Sequence, residues 1–104
     1  MARHRIAAID EVPYGGNKAF EVAGKSVLIC RTASGVFAIE NRCSHAQAVL
    51  EGGKVRGPHI FCPLHGIRFD LRSGEPNGTL AKIPITVYPS VVEDGAVYAV
   101  LPDA

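Results

Sequence analysis

The chain has 104 residues, 47% of them hydrophobic, with a formal charge of +1 and three cysteines. That is the length of one domain with a modest core, and so small a basic excess argues against nucleic acid as the main partner. No run of eighteen apolar residues offers a membrane span, and an odd cysteine count is a poor disulfide framework. The N-terminus Met1-Ala2-Arg3-His4-Arg5-Ile6 is basic, but no long apolar run or small-residue cleavage site follows it. A secretory signal is therefore not expected, and a cytoplasmic location fits best.

In chain order, Lys18–Val22, Ser26–Arg31 and Val36–Glu40 are short β-prone runs separated by Ala23-Gly24 and Ala33-Ser34-Gly35. Between Asn41 and Gly78 lies a stretch rich in Gly, Pro and His. Val87–Val92 and Ala96–Val100 then flank Glu93-Asp94-Gly95, a strong hairpin signal because glycine takes the positive φ that tight connections require. Pro13, Pro84 and Pro89 mark edges or breaks rather than strand centres. Helical periodicity is weak. The expected architecture is all-β, a single domain over 1–104, with residues from about 41 to 78 inserted in the β framework.

That insertion carries Cys43-Ser44-His45 and, after sixteen intervening residues, Cys62-Pro63-Leu64-His65. Thiolate and imidazole bind iron–sulfur clusters, zinc and copper alike, so the residue types leave the metal open. The spacing is more informative. Cys43-x-His45 is too tight for the C-x2–4-C half of a zinc finger, and Cys62-x-x-His65 repeats the mixed order instead of pairing like with like. A two-iron centre explains the mixture if each loop gives its cysteine to one iron and its histidine to the other. A zinc site, or two buried cysteines with incidental histidines, are the alternatives.

The pattern CSH-x16-CPLHG, followed by Phe69-Asp70 and Ser73-Gly74, resembles the Rieske ferredoxins. Val22-Ala23-Gly24-Lys25, Ala38-Ile39-Glu40-Asn41 and Val92-Glu93-Asp94-Gly95 are similar to that family as well, so the resemblance covers nearly the whole chain. It implies a small antiparallel β-sandwich with a cluster-binding subdomain made by two loops. It also implies one 2Fe–2S cluster, with Cys43 and Cys62 on one iron and His45 and His65 on the other. The histidines would lie near the surface, where the electron leaves.

Rieske proteins of respiratory and photosynthetic complexes add a cysteine to each ligand loop, joined as a disulfide, and a serine and a tyrosine whose hydroxyls raise the potential. The matching positions here are Ala48 and Leu64, and Ile67 and Phe69. With fewer donors to the sulfurs, the expected midpoint sits at the low end of the Rieske range, around −150 mV. The histidine pKa values of the oxidised state should correspondingly lie higher than in that branch.

Other residues take plainer readings. His59 is expected to be an ordinary loop or strand histidine, and Cys30 to be small core filling. Arg42, Lys54, Arg56, Arg68 and Arg72 against Glu51 and Asp70 give residues 42–72 a net charge of +3, leaving −2 for the rest. Scattered solvated charge is the plain explanation; a basic collar that orients acidic partners is the functional one.

The short form without a disulfide resembles the ferredoxin component of bacterial ring-hydroxylating dioxygenase systems. That implies a monomeric one-electron carrier, not an enzyme, making transient contacts with a flavin-dependent NAD(P)H ferredoxin reductase and a terminal oxygenase. An oxygenase would need a further mononuclear iron site downstream, and only His4 and His59 remain, both upstream of His65. The alternative is a Rieske-type small subunit of a larger reductase such as nitrite reductase, although such subunits commonly lack part of the ligand set.

Overall fold

The structure, a computed structural model, describes residues 2–43, 48–63, 67–77 and 83–102. Among the described residues eleven strands follow in order: β1 (Ala2–Ala8), β2 (Gly16–Val22), β3 (Lys25–Thr32), β4 (Gly35–Glu40), β5 (Val55–Arg56), β6 (His59–Phe61), β7 (Arg68–Asp70), β8 (Pro76–Asn77), β9 (Val87–Tyr88), β10 (Ser90–Glu93) and β11 (Ala96–Leu101). The only helical element among the described residues is a 3-10 turn at Ile9–Glu11. The strands form three antiparallel sheets: a terminal sheet β1-β11-β10, a central sheet β2-β3-β4-β9 and a loop sheet β5-β6-β7-β8.

The central sheet is apolar on both faces. Side chains alternate along a strand, so Leu28 and Cys30 of β3 point one way and Val27 and Ile29 the other. Leu28, Cys30 and Ile39 join Ile60, Phe69 and Leu71 in one core, shared with the loop sheet. Val27, Ile29 and Ala38 join Val97, Ala99 and Leu101 in a second core, shared with the terminal sheet. The unbroken apolar run Val27–Cys30 thus marks a strand covered on both sides, and all four residues are fully buried.

The expected all-β antiparallel framework is present, built as three small sheets. The tight connections behave as glycine placement dictates. Ala23-Gly24 and Asp94-Gly95 both have positive φ, as two-residue hairpin turns that match the strand twist require. The run Val87–Val92 is not one strand. It divides at Pro89, which has no N–H for a ladder: β9 pairs with β4 in the central sheet, and β10 pairs with β11 in the terminal sheet.

Strand β1 has no counterpart in the sequence reading, because its polar first half hides the pattern. Its register on β11 slips between Arg5 and Ala7. This bulge lets the neighbours Ile6 and Ala7 both be buried, which strict alternation would forbid.

Gly74 joins the loop sheet to the segment before β9. Its N–H donates to Asp70 O at 2.7 Å, and its carbonyl accepts the Ile85 N–H at 2.9 Å. Its φ is +80°, and a Cβ there would overlap the Ile85 carbonyl. Gly24 has a similar φ of +77° but open space around it. Gly74→Ala is therefore expected to lower the unfolding free energy by ~2 kcal/mol or more, against ~1 kcal/mol for Gly24→Ala, where only the backbone conformation is strained. Chemical denaturation of the two variants checks the difference.

Candidate metal centre

The first cysteine-bearing loop leaves the end of β4. Cys43 is fully buried, and its N–H donates to the Ala48 carbonyl at 2.8 Å. The second loop is the connection of the β6–β7 hairpin. Beyond the last ladder pair, Phe61 opposite Arg68, the Cys62 N–H donates to the Ile67 carbonyl at 2.8 Å. Each cysteine therefore closes its loop with the same backbone bond, to the carbonyl five residues on. His45 and His65 lie outside the described residues, as does Leu64.

Cys43 and Cys62 share one apolar core with Cys30. A thiolate in such surroundings needs a cation close by, and a thiol without one stays protonated. Cys30 behaves in the second way, since burial pushes its thiol up to about 12. Cys43 and Cys62 differ from it in position, each standing at the mouth of a loop with a histidine two or three residues on. Two cysteines at matched loop mouths, sealed on one side by apolar side chains, fit a metal–sulfur group.

Of the residues that depart from the disulfide branch, Ala48 and Ile67 supply the two loop-closing carbonyls. Phe69 is fully buried between the loop sheet and the central sheet. His59 lies half-buried in β6, opposite both Arg56 and Asp70. Strand alternation puts it on the outer face of the loop sheet, while Ile60 points into the core that holds the cysteines.

Three side chains hold the first loop to the central sheet, a role that the sequence alone did not give them. Asn41 Oδ1 accepts the N–H groups of Leu50 (3.0 Å) and Glu51 (2.9 Å), and its Nδ2 donates to Ser26 Oγ. Asn17 Oδ1 accepts the Gly52 N–H at 2.9 Å, and its Nδ2 donates to the Gly53 carbonyl at 2.8 Å. Glu51 Oε2 accepts the Ala19 N–H at 2.9 Å. An asparagine just before a ligand loop was the available signal, since such residues bond to nearby backbone where ladders stop.

The outer face of the loop sheet carries Arg56 beside His59, and Phe61 beside Arg68. Asp70 on the same face is taken by Arg72, through Nε at 3.1 Å and Nη2 at 2.9 Å. Arg56 and Arg68 form no ion pair among the described residues, so this face keeps a positive excess.

The sequence and structural comparisons agree with this geometry. Residues 2–89 match the family model described as the Rieske [2Fe-2S] domain. This chain belongs to the Rieske [2Fe–2S] family, which implies one 2Fe–2S cluster. Within that family it is homologous to ferredoxin components of bacterial aromatic dioxygenase systems, which are electron carriers. It is 34% identical to the anthranilate 1,2-dioxygenase ferredoxin subunit of Burkholderia cepacia, over 90% of this chain and 87% of that protein. The ferredoxin of carbazole 1,9a-dioxygenase from Nocardioides aromaticivorans IC177 superposes with a TM-score of 0.86 at 36% identity, covering 95% of this chain and 97% of the other. A chain in the complex of reduced oxygenase and oxidised ferredoxin in carbazole 1,9a-dioxygenase superposes with a TM-score of 0.83 at 26% identity, over 93% and 91% of the two chains. No helix among the described residues is long and apolar enough to cross a membrane.

Asp70 also shapes the turn after the second loop, because its Oδ1 accepts the Arg72 N–H at 2.7 Å. The side-chain hydrogen bonds from Arg72 are the main reason its pKa falls from 3.8 to about 2. A carboxylate whose folded pKa is depressed stabilises the fold above its unfolded pKa and loses that effect as pH falls through the folded value. The stability difference between the wild type and Asp70→Asn is therefore expected to be constant near neutrality and to shrink as pH drops from 3.8 towards 2. The pair is exposed, so the difference should also shrink with added salt. Thermal unfolding at a series of pH values checks both trends.

Proposed function

We propose that the chain is a single Rieske domain whose unit from about 41 to 78 holds a low-potential 2Fe–2S cluster, with Cys43 and Cys62 on one iron and His45 and His65 on the other. It carries single electrons from a flavin-dependent NAD(P)H reductase to a terminal ring-hydroxylating oxygenase, as a cytoplasmic monomer. The observation that carries this reading is the pair of cysteine-led loops, closed alike and packed on one core, in a chain that matches dioxygenase ferredoxins along almost their whole length.

The cluster supplies a site that gains and loses one electron. The protein's own residues supply the rest. Backbone closure at Ala48 and Ile67 holds each loop mouth at one width, so little should have to move when the charge changes. The apolar core behind the cysteines keeps water from that side. The half-buried outer face of the loop sheet begins one residue from Cys62, and its positive excess favours docking of acidic partner surfaces.

Two experiments test this reading. Cys43→Ser and Cys62→Ser are each expected to abolish the visible absorption and the reduced-state EPR signal, whereas Cys30→Ala should retain both. Loss of the cluster in Cys30→Ala would overturn the ligand assignment. In the second, the reduced protein is oxidised by anionic hexacyanoferrate(III) and by cationic tris(phenanthroline)cobalt(III). Added salt should slow the first reaction and speed the second, and Arg56→Glu/Arg68→Glu should reverse both trends. Rates insensitive to salt would remove the basic face from the account.

A further inference from the structure

We propose that Asn41, acting with Asn17 and Glu51, is a positioning residue that sets the separation of the two ligand loops through the short segment from Leu50 to Lys54. This rests on the carrier reading above, and it concerns how the site is spaced rather than which residues bind the metal.

The segment connects the two loop mouths. It starts two residues after Ala48, whose carbonyl closes the first loop, and ends at Lys54, whose carbonyl accepts the Phe61 N–H at 2.9 Å. Phe61 is the residue before Cys62. At the other end, Asn41 stands two residues before Cys43 and takes the first two N–H groups of the segment. Asn17 takes the third, from Gly52, and the fourth, from Gly53, donates to the Leu50 carbonyl at 2.9 Å. Four successive N–H groups are thus satisfied, three of them by asparagine side chains, Asn17 in β2 and Asn41 just past the end of β4.

The fit is also sterically closed. A Cβ on Gly53 would overlap the Phe61 carbonyl and lie 2.9 Å from the Leu50 carbonyl, so backbone meets backbone there. Asn41 is buried, and Leu50 is fully buried. A displaced segment would leave polar groups without water or partner. The path from Asn41 to Phe61 therefore has few ways to lengthen or shorten. Ligands on two separate loops must meet one metal group within a few tenths of an ångström, and this path is the short connection between their mouths.

The test compares the rate at which the cluster is lost to a chelator, followed by visible absorption, and the width of the reduced-state EPR features. Asn41→Leu removes the twin acceptor at nearly constant volume and should lose the cluster ~10-fold faster, in line with other groups that orient metal ligands. It should also broaden the EPR features. Asn41→Asp keeps the twin acceptor and should restore most of the wild-type rate. Leu101→Ala provides the comparison, since it weakens the core on the far side of the central sheet. At temperatures chosen for equal distance below each unfolding midpoint, Leu101→Ala should lose the cluster at close to the wild-type rate. Equal loss from Asn41→Leu and Leu101→Ala under that matching would overturn the proposal and reduce Asn41 to a stabiliser of the fold. If Asn41→Leu fails to fold, Ser26→Ala and Asn17→Ala give the same comparison with one or two bonds removed, expected to fall between wild type and tenfold. A wild type without the cluster spectrum would overturn the carrier reading itself, a separate outcome.

Discussion

Two backbone hydrogen bonds, from Cys43 to Ala48 and from Cys62 to Ile67, fix where each cysteine-bearing loop begins and ends. Neither would hold its place if the loops hung from flexible chain. The second continues the β6–β7 register, so the hairpin ladder aims it. The first has no such ladder below it, because β4 ends before Cys43 and its neighbours pair elsewhere. Asparagine side chains supply there what strand pairing supplies on the other side. Both loops then rest on a central sheet clamped between two apolar cores, and a sheet buried on both faces resists displacement more than one face of a two-layer sandwich.

The electrostatics follow from the same arrangement. In the proposed centre, with neutral imidazoles, two ferric ions, two sulfides and two thiolates would sum to zero, and one electron would take the group to −1. An all-cysteine cluster would go from −2 to −3 at greater cost. Apolar packing behind the cysteines would favour that neutral oxidised state, and Ile67 and Phe69 bring no hydroxyl that could stabilise a reduced one. The surface works in the opposite sense. Asp70 is neutralised by Arg72, Arg56 and Arg68 are left uncompensated, and the face nearest the second loop is positive.

The sequence disclosed the parts governed by short-range rules. The Cys–His pairs, the strands around Ala23-Gly24 and the hairpin at Asp94-Gly95 are local in sequence, and each has its own chemical signature. Other features depend on distant partners. β1 is polar and largely exposed in its first half and becomes a strand because β11, at the far end of the chain, offers it an edge. The division at Pro89 was visible as a break, but the change of sheet depends on which neighbours have free edges. The loop sheet consists of two- and three-residue strands too short for any periodicity to show. Asn17 and Gly52 stand thirty-five residues apart, and nothing in the composition of either segment marks them as partners. The spatial frame of the site was therefore less legible than its candidate ligands.

In the proposed centre, two loops of mixed Cys–His type serve one pair of irons. Pulsed EPR on the reduced protein, with histidine nitrogens labelled by 15N, addresses it most directly. Two distinct nitrogen couplings that change with the label, on a signal integrating to one spin per chain, are the expected result. A cluster signal without nitrogen coupling, or a colourless protein holding zinc, would contradict it.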